Sequence, residues 1–209
     1  MSVLSKLASS QNRRDSVPNQ ELAKELADGK DMDGIGEIAR NLWNDDGRIQ
    51  SDCLKVLYEI GYIDPGLIGD YVDDFFRLLK SRHNRLVWGG MIALSTIAEL
   101  RADEIFSRSK EIMRAIEKGS VITVDSGIKA LSLVASTKRE YRQELFPYLI
   151  SHLQTCRPKE IPMHAEFIMC AVDSDNKESF MRVLKDREDI LRPSQLKRVR
   201  RILKQLEQV

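Results

Sequence analysis

KVLYEIG at residues 55–61 returns as IALSTIA at 92–98 and again as KALSLVA at 129–135. Adding 37 to a position carries Leu57 onto Leu94 and Leu131, and Ile60 onto Ile97 and Val134, so apolar residues fall on apolar residues. A fixed period of this kind marks a supersecondary unit repeated along the chain. A second set of columns keeps the same step. Ile35/Ile38/Ala39/Leu42 becomes Val72/Phe75/Phe76/Leu79, then Ser109/Ile112/Met113/Ile116, then Phe146/Leu149/Ile150/Leu153. The spacing i, i+3, i+4, i+7 is one face of an α-helix, and no stretch shows the period-two alternation of a strand. Each unit is therefore a pair of helices.

The punctuation follows the columns. Gly61 is expected to end one helix, Asp64-Pro65-Gly66 supplies a turn, and Gly119 closes a second helix. Thr137 to Glu140 and Asp175 to Glu178 have capping-box spacing. Pro162 opens a further first helix, with FIMCAV at 167–172 in its core. Pro147 falls inside an expected helix, which should kink there or start late. From Ser194, Leu196, Val199, Leu203 and Leu206 make one stripe on a terminal helix that should cap the stack. The expected organisation is a polar, loosely ordered N-terminal segment at 1–18, then one all-α domain over 19–209. Its units are about 19–44, 45–81, 82–119, 120–156 and 157–192, with a cap at 193–209.

The 209 residues are 42% hydrophobic and 31% charged, enough for a core and a large wetted surface. Net charge is only +1, but residues 15–76 hold five Lys/Arg against fifteen Asp/Glu, whereas 77–209 hold 25 against 17. The chain is acidic early and basic late, which gives no global basic excess for nucleic acid. Cys53, Cys156 and Cys170 are an odd set without metal-type spacing and read as reduced core cysteines. No apolar run has the length of a signal peptide or a membrane span, so the expected location is the cytoplasm.

NDDGRIQSDCLKVLYEIG at 44–61 resembles the first helix of a HEAT repeat, and IDPGLIGDYVDDFFRLLKS at 63–81 is similar to its second. The resemblance covers 45–192 well and 19–44 more weakly. It implies a right-handed α-solenoid of about five helix pairs, of the HEAT or armadillo-like kind, usually serving as a binding scaffold. Some HEAT-like proteins are instead DNA glycosylases, and others are metal-dependent hydroxylases.

No chemical signature competes with the scaffold reading. GIGEIA at 34–39 fits a dinucleotide fingerprint in letters, but no strand precedes it and Ile35, Ile38 and Ala39 are core columns. His164-Ala-Glu166 has metal-ligating types, yet His83, His152 and His164 fall in unrelated repeat columns, so no metal or cofactor is expected. No Ser or Cys can be paired with a His and an orienting carboxylate from spacing, and no enzyme activity is expected. A glycosylase-like or nucleic-acid-binding alternative would draw on Trp43, Trp88 and a carboxylate such as Asp45 or Asp125, against an acidic first half. Arg192, Lys197, Arg198, Arg200, Arg201 and Lys204 make the last helix basic on its outer face.

The expected binding surface lies opposite the second-helix core stripe. Glu37, Asp74 and Glu111 form one column at the repeat interval, and Arg40, Arg77 and Arg114 form another three residues on; Asp33 and Asp70 extend it. Each acid is expected to pair with its Arg at i, i+3, worth only about 0.2–0.5 kcal/mol. So small a gain is a weak reason to repeat the arrangement. The ladder is expected on the concave face, meeting a protein partner of complementary charge.

Overall fold

The computed structural model describes residues 2–208, and among them it contains twelve α-helices, several 3₁₀ turns and no strand. The chain has an armadillo/HEAT-like repeat fold, an α-solenoid. Where the sequence suggests one domain over 19–209, the residues group into two compact units, Met1–Gly127 and Ile128–Val209. The division falls within one helix, α8 (Val121–Thr137).

The first unit contains α1 (Val17–Gly29), α2 (Met32–Arg40), α3 (Gly47–Ile63), α4 (Val72–Leu78), α5 (Asn84–Thr96), α6 (Ala102–Ser107) and α7 (Ser109–Lys118). Helix α3 packs against α1 and α5, while α2 packs on α3 and α4 on α5. Asp31 caps α2 by accepting from the Gly34 N–H at 2.9 Å, and Asp46 caps α3 through the Arg48 N–H at 2.8 Å, each satisfying an otherwise unpaired donor. The repeat columns are the core: Leu57, Leu94, Ile60 and Ile97 are fully buried, as are Ile35, Ile38, Leu42, Phe75, Phe76 and Ile112.

The second unit continues α8 and adds α9 (Arg139–Thr155), α10 (Ile161–Ile168), α11 (Lys177–Asp186) and α12 (Pro193–Glu207). Leu131 and Val134 keep their columns in its core. Helix α12 packs on α10 and α11 through buried Val199, Ile202, Leu203 and Leu206, as expected of a helix that covers an end.

Several local expectations are corrected. Residues 2–9, read as part of a loose segment, are docked. Leu7 and Ala8 are buried, Ala8 N–H donates to Asn19 Oδ1 at 2.9 Å, and Ser9 N–H donates to Asp52 Oδ2 at 2.7 Å. Gly61 does not end α3, which runs on to Ile63. Its missing side chain makes room for α5, since a Cβ there would lie 2.9 Å from Thr96 Cβ and 2.7 Å from Ile68 Cδ1. Pro147 sits in mid-helix, and α9 starts eight residues earlier, not late. Thr137 makes no capping box because its hydroxyl donates back to the Val134 carbonyl at 2.8 Å. At α11 the cap-like acceptor is Asp173, not Asp175; it takes the Asp175 and Asn176 N–H groups at 3.0 and 3.2 Å. Cys53 and Cys156 are buried thiols, but Cys170 is exposed.

Candidate functional site

The charged columns lie on the second helices of the first unit, at half-exposed or exposed positions. Glu37 and Arg40 are on α2, Asp70 is in the turn before α4, Asp74 and Arg77 are on α4, and Glu111 and Arg114 are on α7. The structure does not make the expected i, i+3 ion pairs. The acids are held by other groups.

Glu37 accepts from the Ser2 hydroxyl and from the Val3 N–H at 3.1 Å, which lowers its pKa below the ordinary carboxylate value. Asp70 pairs with Arg101, from the segment leading into α6. Asp73 pairs with Arg108 at 2.7 Å. Asp74 accepts from the Trp43 indole N–H at 3.1 Å. Glu111 takes Arg108 Nε at 2.9 Å and Lys80 Nζ at 3.0 Å, and these bonds, the Arg108 one foremost, lower its pKa. The bonds from Asp70 to Arg101 and from Asp73 to Arg108 span 31 and 35 residues, so they tie one repeat to the next.

The arginines are what this leaves over. Among the described residues neither Arg40 nor Arg114 makes an ion pair, and Arg77 spends its guanidinium face on the Trp43 ring, 3.9 Å from the centroid. Trp43 is itself 38% exposed, so indole and guanidinium together form an open, amphipathic surface. Arg114 also lines a cavity of about 450 Å³ with Lys80, Arg82 and Lys118, with Glu111 its one acid and Val87 and Leu79 among its apolar walls. Sequence reasoning missed Trp43, Lys80, Arg82 and Arg108 as members of this surface because they do not repeat at the 37-residue step.

A second cavity of about 580 Å³ lies between the docked N-terminal segment, α3 and α5. Arg13, Arg14, Arg48, Lys55 and Arg85 face it, with Tyr58 and Trp88 6.4 Å apart between centroids. Arg13, Arg48 and Lys55 are paired to Asp15, Asp46 and Glu59, whereas Arg14 and Arg85 make no ion pair among the described residues. The aromatics weighed for base repair are not gathered in one place: Trp88 lines this cavity and Trp43 does not. Asp45 is exposed, and neither it nor Asp125 lines the cavity.

In the second unit two of the histidines meet, which their repeat columns do not suggest. His152 and His164, in unrelated repeat columns, lie with His152 Nε2 2.9 Å from His164 Nδ1, and Cys156 joins them. Glu166 takes no part; it accepts from Arg198 at 2.6 Å and Arg201 at 3.3 Å, so part of the basic face of α12 is tied to α10. Arg200 is likewise tied to Glu188 at 3.1 Å. His83 precedes α5, in the other unit.

No protein-family model and no curated protein matches the sequence significantly. Solved structures do. The chain is similar to an engineered protein at 17% identity and a TM-score of 0.67, covering 98% of this chain and 95% of that one. It is similar to a designed armadillo repeat protein in complex with the peptide (KR)4, at 12% identity and a TM-score of 0.68, covering 88% and 85%. A further designed armadillo repeat protein matches at 11% identity and a TM-score of 0.66, over 97% and 99% of the two chains. At these identities the likeness is one of fold. No described helix is long and apolar enough to cross a membrane.

Proposed function

We propose that the chain is a non-enzymatic protein-interaction scaffold whose first unit receives an acidic segment of a protein partner on the second-helix face. The supporting observation is the division of labour in the charged columns: the acids are engaged by groups other than the column arginines, Asp70 and Glu111 by cations and Glu37 and Asp74 by neutral donors, while among the described residues Arg40, Arg77 and Arg114 make no ion pair. A carboxylate-bearing peptide would offer bidentate acceptors to these guanidiniums, which suit Arg better than Lys. The basic cavity at Lys80, Arg82 and Lys118 extends that surface. The designed armadillo neighbour is complexed with a peptide that is basic by composition. The free groups here are cations, so the charge runs the other way.

The test is binding of a labelled Glu/Asp-rich peptide, with (KR)4 as the opposite probe. The native chain should bind the acidic peptide in a salt-sensitive way, and Arg77→Glu with Arg114→Glu should weaken it at least tenfold with the melting temperature nearly unchanged. Retention of binding in the double variant, or preference for (KR)4, refutes the reading.

The cavity holding Arg14 and Arg85 supports a second reading, in which its cations and aromatic rings take a nucleic-acid phosphate and base. A gel shift with DNA at low salt, abolished by Arg14→Glu with Arg85→Glu, is its expected result. Absence of a shift at low salt removes it.

A further inference from the structure

We propose that His152, Cys156 and His164 form a zinc site that clips the end of α9 to α10. The first two stand at i, i+4 and so share one face of the helix as it ends. The chain then turns through residues 157–160 and starts α10, whose fourth residue, His164, comes back against them. The three ligand atoms all lie within 4.8 Å of one another, and the two imidazole nitrogens are 2.9 Å apart. His164 is fully buried, Cys156 is buried and His152 is half-buried.

Two imidazoles and a thiol are a donor set for zinc, which takes nitrogen at about 2.0–2.1 Å and thiolate sulfur at about 2.3 Å. In a tetrahedron those bond lengths place neighbouring ligand atoms roughly 3.3–3.6 Å apart. The imidazoles need to part by only a few tenths of an ångström, and the widest separation to close by about one. Without a metal the arrangement gives little back to the thiol, whose hydrogen bond to the Leu153 carbonyl is long, at 3.8 Å. A cysteine ligates zinc as the thiolate, so binding must displace the Cys156 proton. The step balances as Cys–SH plus Zn²⁺ giving Cys–S–Zn⁺ and one H⁺ released to solvent.

The remaining charge has a counter-ion at hand. Buried Glu160, held by Arg157 Nε at 2.8 Å and its N–H at 3.1 Å, acts electrostatically on His152, Cys156 and His164. The fourth position falls to water. Since all three ligands are buried or half-buried at a helix junction, the site's role is to hold that junction closed.

The experiment uses the full chain, stripped with chelator and titrated with Co²⁺ and then Zn²⁺. One equivalent of Co²⁺ should give tetrahedral visible bands and a thiolate charge-transfer band, both erased by Zn²⁺. Zn²⁺ should also raise the melting temperature of the native chain. Cys156→Ser should lose the charge-transfer band, and His152→Ala should weaken binding at least a hundredfold. His152→Ala carries the test of the imidazoles if His164→Ala fails to fold, because His152 is half-exposed. An octahedral spectrum, no stoichiometric binding, or a charge-transfer band and zinc-dependent melting unchanged in Cys156→Ser overturns the site.

Discussion

Gly61→Ala puts the packing of α3 against α5 to a direct test. Among the described residues no glycine has positive φ, so Gly61 is not there for a left-handed backbone, and alanine is the better helix former by about 1 kcal/mol. Propensity alone therefore makes the variant more stable. The structure gives the opposite sign. The new methyl would press on Thr96 Oγ1 and lie 2.9 Å from Thr96 Cβ and 2.7 Å from Ile68 Cδ1. Ile68 can give at its far end, but Thr96 Cβ moves only with the α5 backbone. The Thr96 hydroxyl is also engaged, donating to the Ala93 carbonyl at 2.7 Å. Overpacking of this sort costs about 1–3 kcal/mol. With the propensity gain and the loss of the Thr96 bond, worth about 1 kcal/mol, the net expectation is a destabilisation of about 1–3 kcal/mol. At about 2–4 °C per kcal/mol for a chain of this size, the melting temperature should fall by roughly 2–12 °C. The control is Gly47→Ala, where a Cβ meets nothing within 4 Å, and it should melt at or slightly above the native temperature. Calorimetry or circular-dichroism melting reads both. Adding Thr96→Ala to Gly61→Ala should recover part of the loss as a non-additive term. If Gly61→Ala melts like Gly47→Ala, the close approach of α3 and α5 is wrong.

Leu57→Ala, Leu94→Ala and Leu131→Ala, each at a fully buried column, should each cost about 2–5 kcal/mol in denaturant unfolding; one harmless member would break the 37-residue register. Truncation after Arg192 removes the side chains of Val199, Ile202, Leu203 and Leu206, each worth about 1.5–3 kcal/mol of burial, and should cause aggregation or early melting independent of any ligand. Glu111 is held ionised by Arg108 and Lys80, so its contribution is present above its ordinary value of 4.5 and lost as pH falls through the lower folded pKa. Below about pH 4.5 the native chain should accordingly lose stability more steeply than Glu111→Gln, which has no proton to take up there.

How much of this was legible in the sequence follows from what repeats. A core column is set by burial between equivalent helices, and Leu57, Leu94 and Leu131 answer to the same geometry in each unit. Boundaries were less legible because single residues carry two readings. Gly61 resembles a stop when met in sequence, yet a helix can run through a glycine when a neighbouring helix needs the space. The segment 1–18 reads as polar and loosely ordered, yet Ala8 and Ser9 are fastened by Asn19 and Asp52, polar partners that no apolar pattern reveals.

The sites show the same division more sharply. The positions of the charged columns were legible, because surface duplicated with the repeat keeps its interval, but their partners were not. Register puts Asp74 and Arg77 one helical turn apart, yet both turn to Trp43, a residue with no equivalent 37 positions on. The histidines are the extreme case. A repeat alignment asks whether a residue recurs at one interval, and His152 and His164 fail that question while meeting, twelve residues apart in sequence, across a helix junction. Such a contact depends on where α9 stops and how tightly the chain turns, which the period does not specify. Function in a repeat array is therefore to be sought both in its surface columns, as at Arg40, Arg77 and Arg114, and where the sequence departs from them, as at Trp43, Lys80, Arg108, His152 and Cys156.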